Sequence, residues 1–339
     1  FGERLMELPM RNKAPDHGIR IPFEDLAQFV ADVFVRAGMY PHDARLMGET
    51  LASADQRCVY SHGTMQTPGY VRKILAGDIN PCPTVTVISE TDTTLVLDGD
   101  GGLGYFPSFR GTEVAIAKAK QHGVGVATTR NHHHFGAAGH YSRMALPHNC
   151  IGLAVSAHRY GLDPAHSLMN ASGGSPMSIA FPTRTQPPLV LDMGATFLPT
   201  ETELMEKYHS VFMKSLGLGV AFQALGGILA GIWISELERP VSKWESNQGA
   251  FIAVFSVRHL MSVDQFELSL DNFIRQARQM KPFPGMSQTE LPGGMEWRWE
   301  REHEMIGIPI AETHQEALQE IADETGVIAP FDLFEHTRF

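Results

Sequence analysis

Basic residues are scarce. There are 27 Lys and Arg against 38 Asp and Glu, a formal charge of -11 over 339 residues. Holding a phosphate backbone or an anionic membrane needs clustered Lys and Arg. No stretch supplies them, so neither a nucleic-acid nor a membrane partner is expected. Cysteine is scarcer still: Cys58, Cys82 and Cys150 are odd in number, widely spaced and outside any CxxC pattern. They signal neither a disulfide framework nor a Cys-based zinc site, and they fit a reducing compartment. The motifs HExxH and GxSxG are absent, which removes the signatures of a helix-borne zinc hydrolase and of a serine-hydrolase elbow. The first residues carry no basic-then-apolar signal segment, so a cytoplasmic location is expected. One long apolar run occurs, from Gly217 to Ile234, with Gly227 and Gly231 at GxxxG spacing. Gln223 interrupts it and Gly and Ala enrich it, so a buried helix packed close to a neighbour is a better reading than a membrane span.

What is present points to a folded enzyme-sized chain. With 43% hydrophobic residues, 339 residues can fill two domains. Ile21, Phe23, Leu26, Phe29, Val30, Val33 and Phe34 recur at helical spacing, predicting a helix over 21–38, and a second follows over about 42–54. After Gly77-Asp78-Ile79-Asn80-Pro81 the pattern turns to strands at 84–89 and 94–98, placing a domain boundary near residue 82. Helices near 107–121 and 136–147 then alternate with strands at 124–129 and 151–156. Further strands are expected near 177–181, 188–192 and 251–255, and helices near 267–279 and 313–324. The Pro/Gly-rich segment from Pro282 to Gly294 reads as an extended connection.

Three constellations could carry chemistry. Gly99-Asp100-Gly101-Gly102-Leu103-Gly104 matches GxGxxG between a strand and a helix, the setting of a pyrophosphate-cradling turn. Arg130, not an acid, ends the next strand, so a ligand-free glycine turn is an equal reading. His132, His133 and His134 precede Phe135-Gly136 at a strand-to-helix junction. They read as surface histidines first, a cofactor contact next and a metal site last, because no acidic companion stands nearby. In Asp55-Gln56-Arg57-Cys58-Val59-Tyr60-Ser61-His62-Gly63, His62 has the near-neutral pKa of a proton shuttle, and a capping or packing role competes with that reading.

Together these segments resemble the non-Rossmann malate/L-lactate dehydrogenase-like family, which includes sulfolactate and ureidoglycolate dehydrogenases, diketogulonate reductase and piperideine-carboxylate reductase. The likeness runs in order through 54–63, YVRKILAGDINP (70–81), VLDGDGGLGY (96–105), the histidine-rich stretch 119–141, VLDMG (190–194) and LPGGMEWR (291–298). It implies a mixed α/β fold with a largely antiparallel central sheet, and a glycine turn that is not a Rossmann site. It also implies a helical N-terminal part (1–82), an NAD(P)-binding domain (83–260) and a C-terminal helical part (261–339) packing with the first. By the same resemblance His62 is the acid/base, supported by Ser61 and Asp192. NAD or NADP would be held by His134, Phe135, Gly136, Ala137, Ala138, His158, Met193, Gly194, Lys214 and Pro292-Gly293-Gly294, with no metal, in a homodimer.

Several positions depart from the family pattern. An Arg usually stands four residues after the catalytic His, with a Tyr later; here these positions hold Gln66 and Tyr70. Gln lacks the charge and fork of Arg for a carboxylate, leaving Arg57 or Arg159 to compensate. Arg57, Gln66, Tyr70 and His134 are therefore the expected substrate contacts. Gly173-Gly174-Ser175-Pro176 replaces Gly-Thr-Asn-Pro, Lys214-Ser215-Leu216-Gly217 replaces Lys-Gly-Tyr-Gly, and the connection from Asp192 to Lys214 is short. The expectation is a nicotinamide-dependent oxidoreductase that interconverts a 2-hydroxy acid and its 2-oxo form. A non-catalytic relative that binds a nucleotide or metabolite, and a histidine-based metal hydrolase, are the alternatives.

Overall fold

The computed structural model describes residues 12–195, 201–234, 246–284, 286 and 288–339. In chain order they form β1 (Ile19–Ile21), α1 (Phe23–Arg36), α2 (Pro41–Gln56), α3 (Thr67–Leu75), β2 (Thr86–Glu90), β3 (Thr94–Asp98) and α4 (Tyr105–His122). Next come β4 (Val124–His132), α5 (Ala138–Met144), β5 (Cys150–His158), β6 (Pro176–Phe181), β7 (Leu189–Gly194), α6 (Thr202–Lys207) and α7 (His209–Phe222). The chain continues through β8 (Gln248–Ser256), α8 (Val263–Ala277), α9 (Gly294–Ile306), β9 (Ile308–Ile310) and α10 (Glu312–Thr325). The predicted elements are present with shifted ends. Other features differ from the sequence reading: α3, α6 and α9 are helices and β1 and β9 strands that it does not place, and the apolar helix starts at His209 and passes into a π-helical turn at Gln223–Ile228.

Contacts divide the chain into a flanking unit (1–82 with 272–339) and a central unit (83–271). In the flanking unit, Leu26, Phe29, Val30, Val33 and Phe34 of α1 are buried, as are Ala44, Met47 and Leu51 of α2. Gly48 permits the two helices to touch, because a Cβ there would lie 2.2 Å from the Ala27 carbonyl oxygen. β1 and β9 pair antiparallel, Ile19 opposite Ile310 and Ile21 opposite Ile308, and all four side chains are sealed from solvent.

The central unit is built on a seven-stranded sheet, β2-β3-β4-β8-β5-β6-β7, in which only β3 and β4 run parallel. Successive strand residues face opposite sides, and both sides are covered. Ala154 and Ile252 join Leu95, Leu97, Phe135 and Tyr141 on the face of α4 and α5. Val155 and Phe251 turn the other way, to Phe222, Leu218 and Leu225 on and after α7. The run from His209 to Ile228 is long and apolar enough to cross a membrane by length and composition. One side of it is buried, at Phe212, Leu216, Gly219 and Phe222, while Val211, Met213, Val220 and Ile228 are exposed, and a Cβ on Gly226 would meet the backbone of Ser156 at 2.9 Å, the close packing expected of its glycines.

The GxGxxG turn is resolved against the pyrophosphate reading. The amides of Gly99, Gly101, Gly102 and Gly104 donate to the carbonyls of Arg130, Asn131, Gly99 and His134. A Cβ on Gly99 or Gly104 would strike His132 at 2.9 or 2.5 Å. The glycines let this turn pack on the β4–α5 loop, and their amides are already satisfied.

Candidate active site

In the flanking unit, α2 ends at Gln56 and the chain reverses through Cys58, a non-glycine residue at φ 59°. Two 3-10 turns follow, Tyr60–His62 and Thr64–Gln66, before α3. Ser61 Oγ lies 3.0 Å from Nδ1 of His62, and the Gln66 amide nitrogen donates to the Ser61 carbonyl at 2.7 Å. The His62 imidazole is half-buried, and that burial holds its pKa below the ordinary 6.5. Underneath, the Thr64 amide and hydroxyl both meet Asp55 Oδ2, at 3.1 and 2.5 Å. Gly63 has to be glycine, since a Cβ would sit 1.7 Å from Asp55 Oδ1. Tyr60 donates its hydroxyl to the Pro309 carbonyl at 2.8 Å, tying the loop to β9.

The other expected residues of this unit are also fixed. Arg57 is buried, with Nη1 at 2.7 Å from Ser53 Oγ and 3.1 Å from Glu300 Oε1. Tyr70 is buried on α3. The Pro292-Gly293-Gly294 turn precedes α9, with Gly293 at φ 90°. It is held by Glu290, whose carboxylate takes both arms of Arg278 at 2.9 Å and the Leu291 amide at 3.0 Å, with Arg298 at 3.3 Å. This fork pins a turn that the sequence reading gives only as the end of an extended connection.

In the central unit, Asp192 lies near the end of β7, the last strand of the sheet. Its Oδ2 accepts the Gly139 amide at 2.9 Å. A Cβ on Gly139 would lie 2.3 Å from that oxygen and 2.4 Å from Arg143 Nη1, so the carboxylate and the guanidinium nitrogen converge over the bare glycine. Met193 and Gly194 continue the strand; a Cβ on Gly194 would meet only the Gly174 carbonyl, at 3.9 Å. Gly174, at φ 63°, has nothing within 4 Å of such a carbon. Nearby sequence lines a cavity of about 400 Å³ with His158, Tyr160, Gly173 and Gly174, and the rings of His158 and Tyr160 are 5.1 Å apart. Lys214 is exposed on α7.

The histidine run needs correction. His132 is fully enclosed, Nε2 at 2.8 Å from Thr129 Oγ1 and Nδ1 at 2.7 Å from the His133 carbonyl, and burial lowers its pKa to about 4. It is a neutral core residue, not a surface one. His133 and His134 are partly exposed. In the following loop, Phe135 and Ala138 are core residues, while Gly136 at φ 80° lies against Tyr105, leaving no room for a Cβ.

The departures from the family pattern have local partners. Ser175 Oγ accepts from Gln223 Nε2 at 2.9 Å, and Ser215 Oγ donates to the Ala195 carbonyl at 2.5 Å. The short stretch from Asp192 to Lys214 includes residues 196–200, which lie outside the described residues. Among the described residues, no three His, Cys, Asp or Glu side chains gather as a metal site.

A sequence profile of the malate/L-lactate dehydrogenase family matches residues 21–210. A malate dehydrogenase of Pyrococcus horikoshii is 28% identical, over 91% of this chain and 96% of that protein. An L-sulfolactate dehydrogenase of Methanocaldococcus jannaschii is 26% identical, over 90% of this chain and 96% of the relative. The solved P. horikoshii malate dehydrogenase superposes with a TM-score of 0.82 at 28% identity, covering 94% of this chain and 98% of that one.

Proposed function

The chain belongs to the malate/L-lactate dehydrogenase family, an oxidoreductase acting on the CH–OH group of hydroxy acids, and on that premise we propose that it interconverts a 2-hydroxy acid and its 2-oxo form with NAD or NADP. The observation that carries the residue assignment is the Ser61–His62 contact on a loop anchored from below. His62 takes the hydroxyl proton during oxidation and returns it during reduction. Ser61 Oγ orients its ring, and Asp192 is the supporting acid. Nicotinamide, when bound, gives or accepts the hydride. Its proposed holders are His134 with the 135–138 loop, His158, Met193, Gly194, Lys214 and the 292–294 turn.

Substrate contacts fall to Gln66, Tyr70 and His134. Arg57 contributes its charge from beneath the loop, because Nη1 is already engaged by Ser53 and Glu300. The two relatives described above act, by name, on malate and L-sulfolactate, each a 2-hydroxy acid with a second acidic group. These are the first substrates to screen. The enzyme is taken to be a cytoplasmic homodimer.

Titration with NADH and NADPH, followed by nicotinamide fluorescence, tests the cofactor assignment, and a hydroxy-acid screen tests the reaction. His62→Ala is expected to bind cofactor as wild type does and to lose about 10²–10⁴-fold in kcat. Binding of neither cofactor would replace this reading with that of a non-catalytic relative, and undiminished turnover in His62→Ala would remove His62 from the chemistry.

A further inference from the structure

Beneath the His62 loop lies a side-chain chain that the proposed reaction does not use. Asp55 and Thr64 are fully enclosed, and His314 of α10 is 2% exposed. Thr64 Oγ1 sits between Asp55 Oδ2 at 2.5 Å and His314 Nε2 at 2.8 Å. Asp55 Oδ1 has no hydrogen-bond partner and presses on Gly63. Among the described residues no Lys or Arg forms an ion pair with Asp55, and its recorded partners are the Thr64 amide and hydroxyl. An enclosed carboxylate with one bare oxygen and no cation is a costly arrangement.

We propose that Asp55, Thr64 and His314 form a buried relay in which Asp55 is the neutral carboxylic acid, and that this relay is the positioning device for the loop carrying His62. The acid proton resides on Oδ2, because on Oδ1 it would have no acceptor. Asp55 Oδ2–H donates to Thr64 Oγ1, whose own proton goes to a bare His314 Nε2, with the His314 proton on Nδ1. The two hydrogens between the three side chains then each have an acceptor, and Oδ2 still accepts the Thr64 amide. Burial acts in the same direction at both ends, raising Asp55 to about 8 and lowering His314 to about 4.

Cys58 and Tyr60, on the same loop, are neutral as well, while Arg20, Glu296 and Glu302 are charged groups close enough to act on them. Burial pushes the Cys58 thiol up to about 12, and the Tyr60 phenol is raised too, first by burial. Tyr60 stands edge-on to His314, ring centroids 5.9 Å apart. Arg57, the adjacent cation, is paired with Glu300. A neutral Asp55 joins α2 to α10 through Thr64 without placing a negative charge under His62, where it would favour the imidazolium. It is thus a positioning residue, and its importance for turnover rests on the proposed role of His62.

The protonation state is read without substrate. The difference infrared spectrum of wild type minus Asp55→Asn is expected to show a carboxylic-acid carbonyl band that shifts in D₂O, and ¹⁵N NMR to show His314 as the Nδ1–H tautomer. A carboxylate band in place of the acid band, or an Nε2–H tautomer, overturns the relay. Kinetics test positioning. Thr64→Val and Asp55→Ala should lower kcat by about tenfold to a hundredfold with little change in KM. Asp55→Asn keeps a neutral planar group but can serve only one of the two Thr64 bonds from a single atom, accepting the amide or donating to Oγ1, and should lose less kcat than Asp55→Ala. Folded Thr64→Val and Asp55→Ala proteins with undiminished kcat overturn the positioning role. If wild type oxidises no hydroxy acid, the functional reading fails, while the infrared and NMR signatures still decide the relay.

Discussion

Buried titratable groups make this protein's stability depend on pH from both sides. Asp55 titrates at about 8 in the folded chain against an ordinary 3.8. Its contribution is fully present below the unfolded value and is lost as pH rises through the folded one, because the unfolded chain ionises first. Asp55→Asn should therefore melt higher than wild type near pH 8, by a few kcal/mol, and lose that advantage near pH 4. Calorimetry at both values checks it; a constant difference would mean Asp55 is ionised throughout. His132 and His314 act in the opposite sense, since both fall to about 4 when folded. Between their ordinary 6.5 and 4, only the unfolded chain takes up protons, so stability drops with acidity there. Residue types at this scale were legible, but environments were not. His132 looks like one of three polar neighbours. A register shift between Thr129 and His132, with Asn131 at φ 52°, turns it into the core, and nothing in the run His132-His133-His134 announces that shift. Asp55 and His314 are hundreds of residues apart, and no spacing rule joins them.

Helices lie on this sheet at unusually short range, and single glycines permit it. A Cβ on Gly125 of β4 would sit 2.0 Å from the Ala115 carbonyl oxygen of α4, and one on Gly152 of β5 would sit 2.2 Å from that of Ser142 in α5. The obstacle in each case is backbone, which cannot rotate aside. Gly125→Ala and Gly152→Ala should each cost about 2–4 kcal/mol, seen as a lowered midpoint in urea, whereas Gly69→Ala, open to 4 Å, should be nearly neutral. Element identity was readable where periodicity was strong, as in α1 and β5. It failed for α9, where Trp297, Arg298, Trp299 and Arg301 give no apolar stripe and only Gly294 and His303 are buried. The turn before it was recognisable from Pro292-Gly293-Gly294, but the Glu290–Arg278 fork that holds it was not, because ion pairs between segments leave no local signature.

At the scale of the molecule, the order of motifs from 54–63 to 291–298 carried more information than any single motif, and it reached the family where GxGxxG alone pointed to the wrong fold. The proposed homodimer is supported by exposed apolar side chains at Phe273, Met280 and Phe283, which are 60, 69 and 77% exposed. Sedimentation should show a dimer at micromolar concentration, weakened in Phe273→Ser/Phe283→Ser; a strictly monomeric wild type would exclude it. The flanking unit is completed only by residues 272–339, whereas the central unit ends at Asp271. On a ribosome adding about 5–20 residues per second, the sheet can close while α1 and α2 wait roughly 13 to 54 seconds for β9 and α10 to be complete. During that interval α1 and α2 can cover only each other, and Ile19 and Ile21 lack their partners Ile310 and Ile308. A cell making this protein must keep that early segment from sticking to its neighbours, so slow translation or scarce trigger-type chaperones should reduce its yield before any catalytic property is affected.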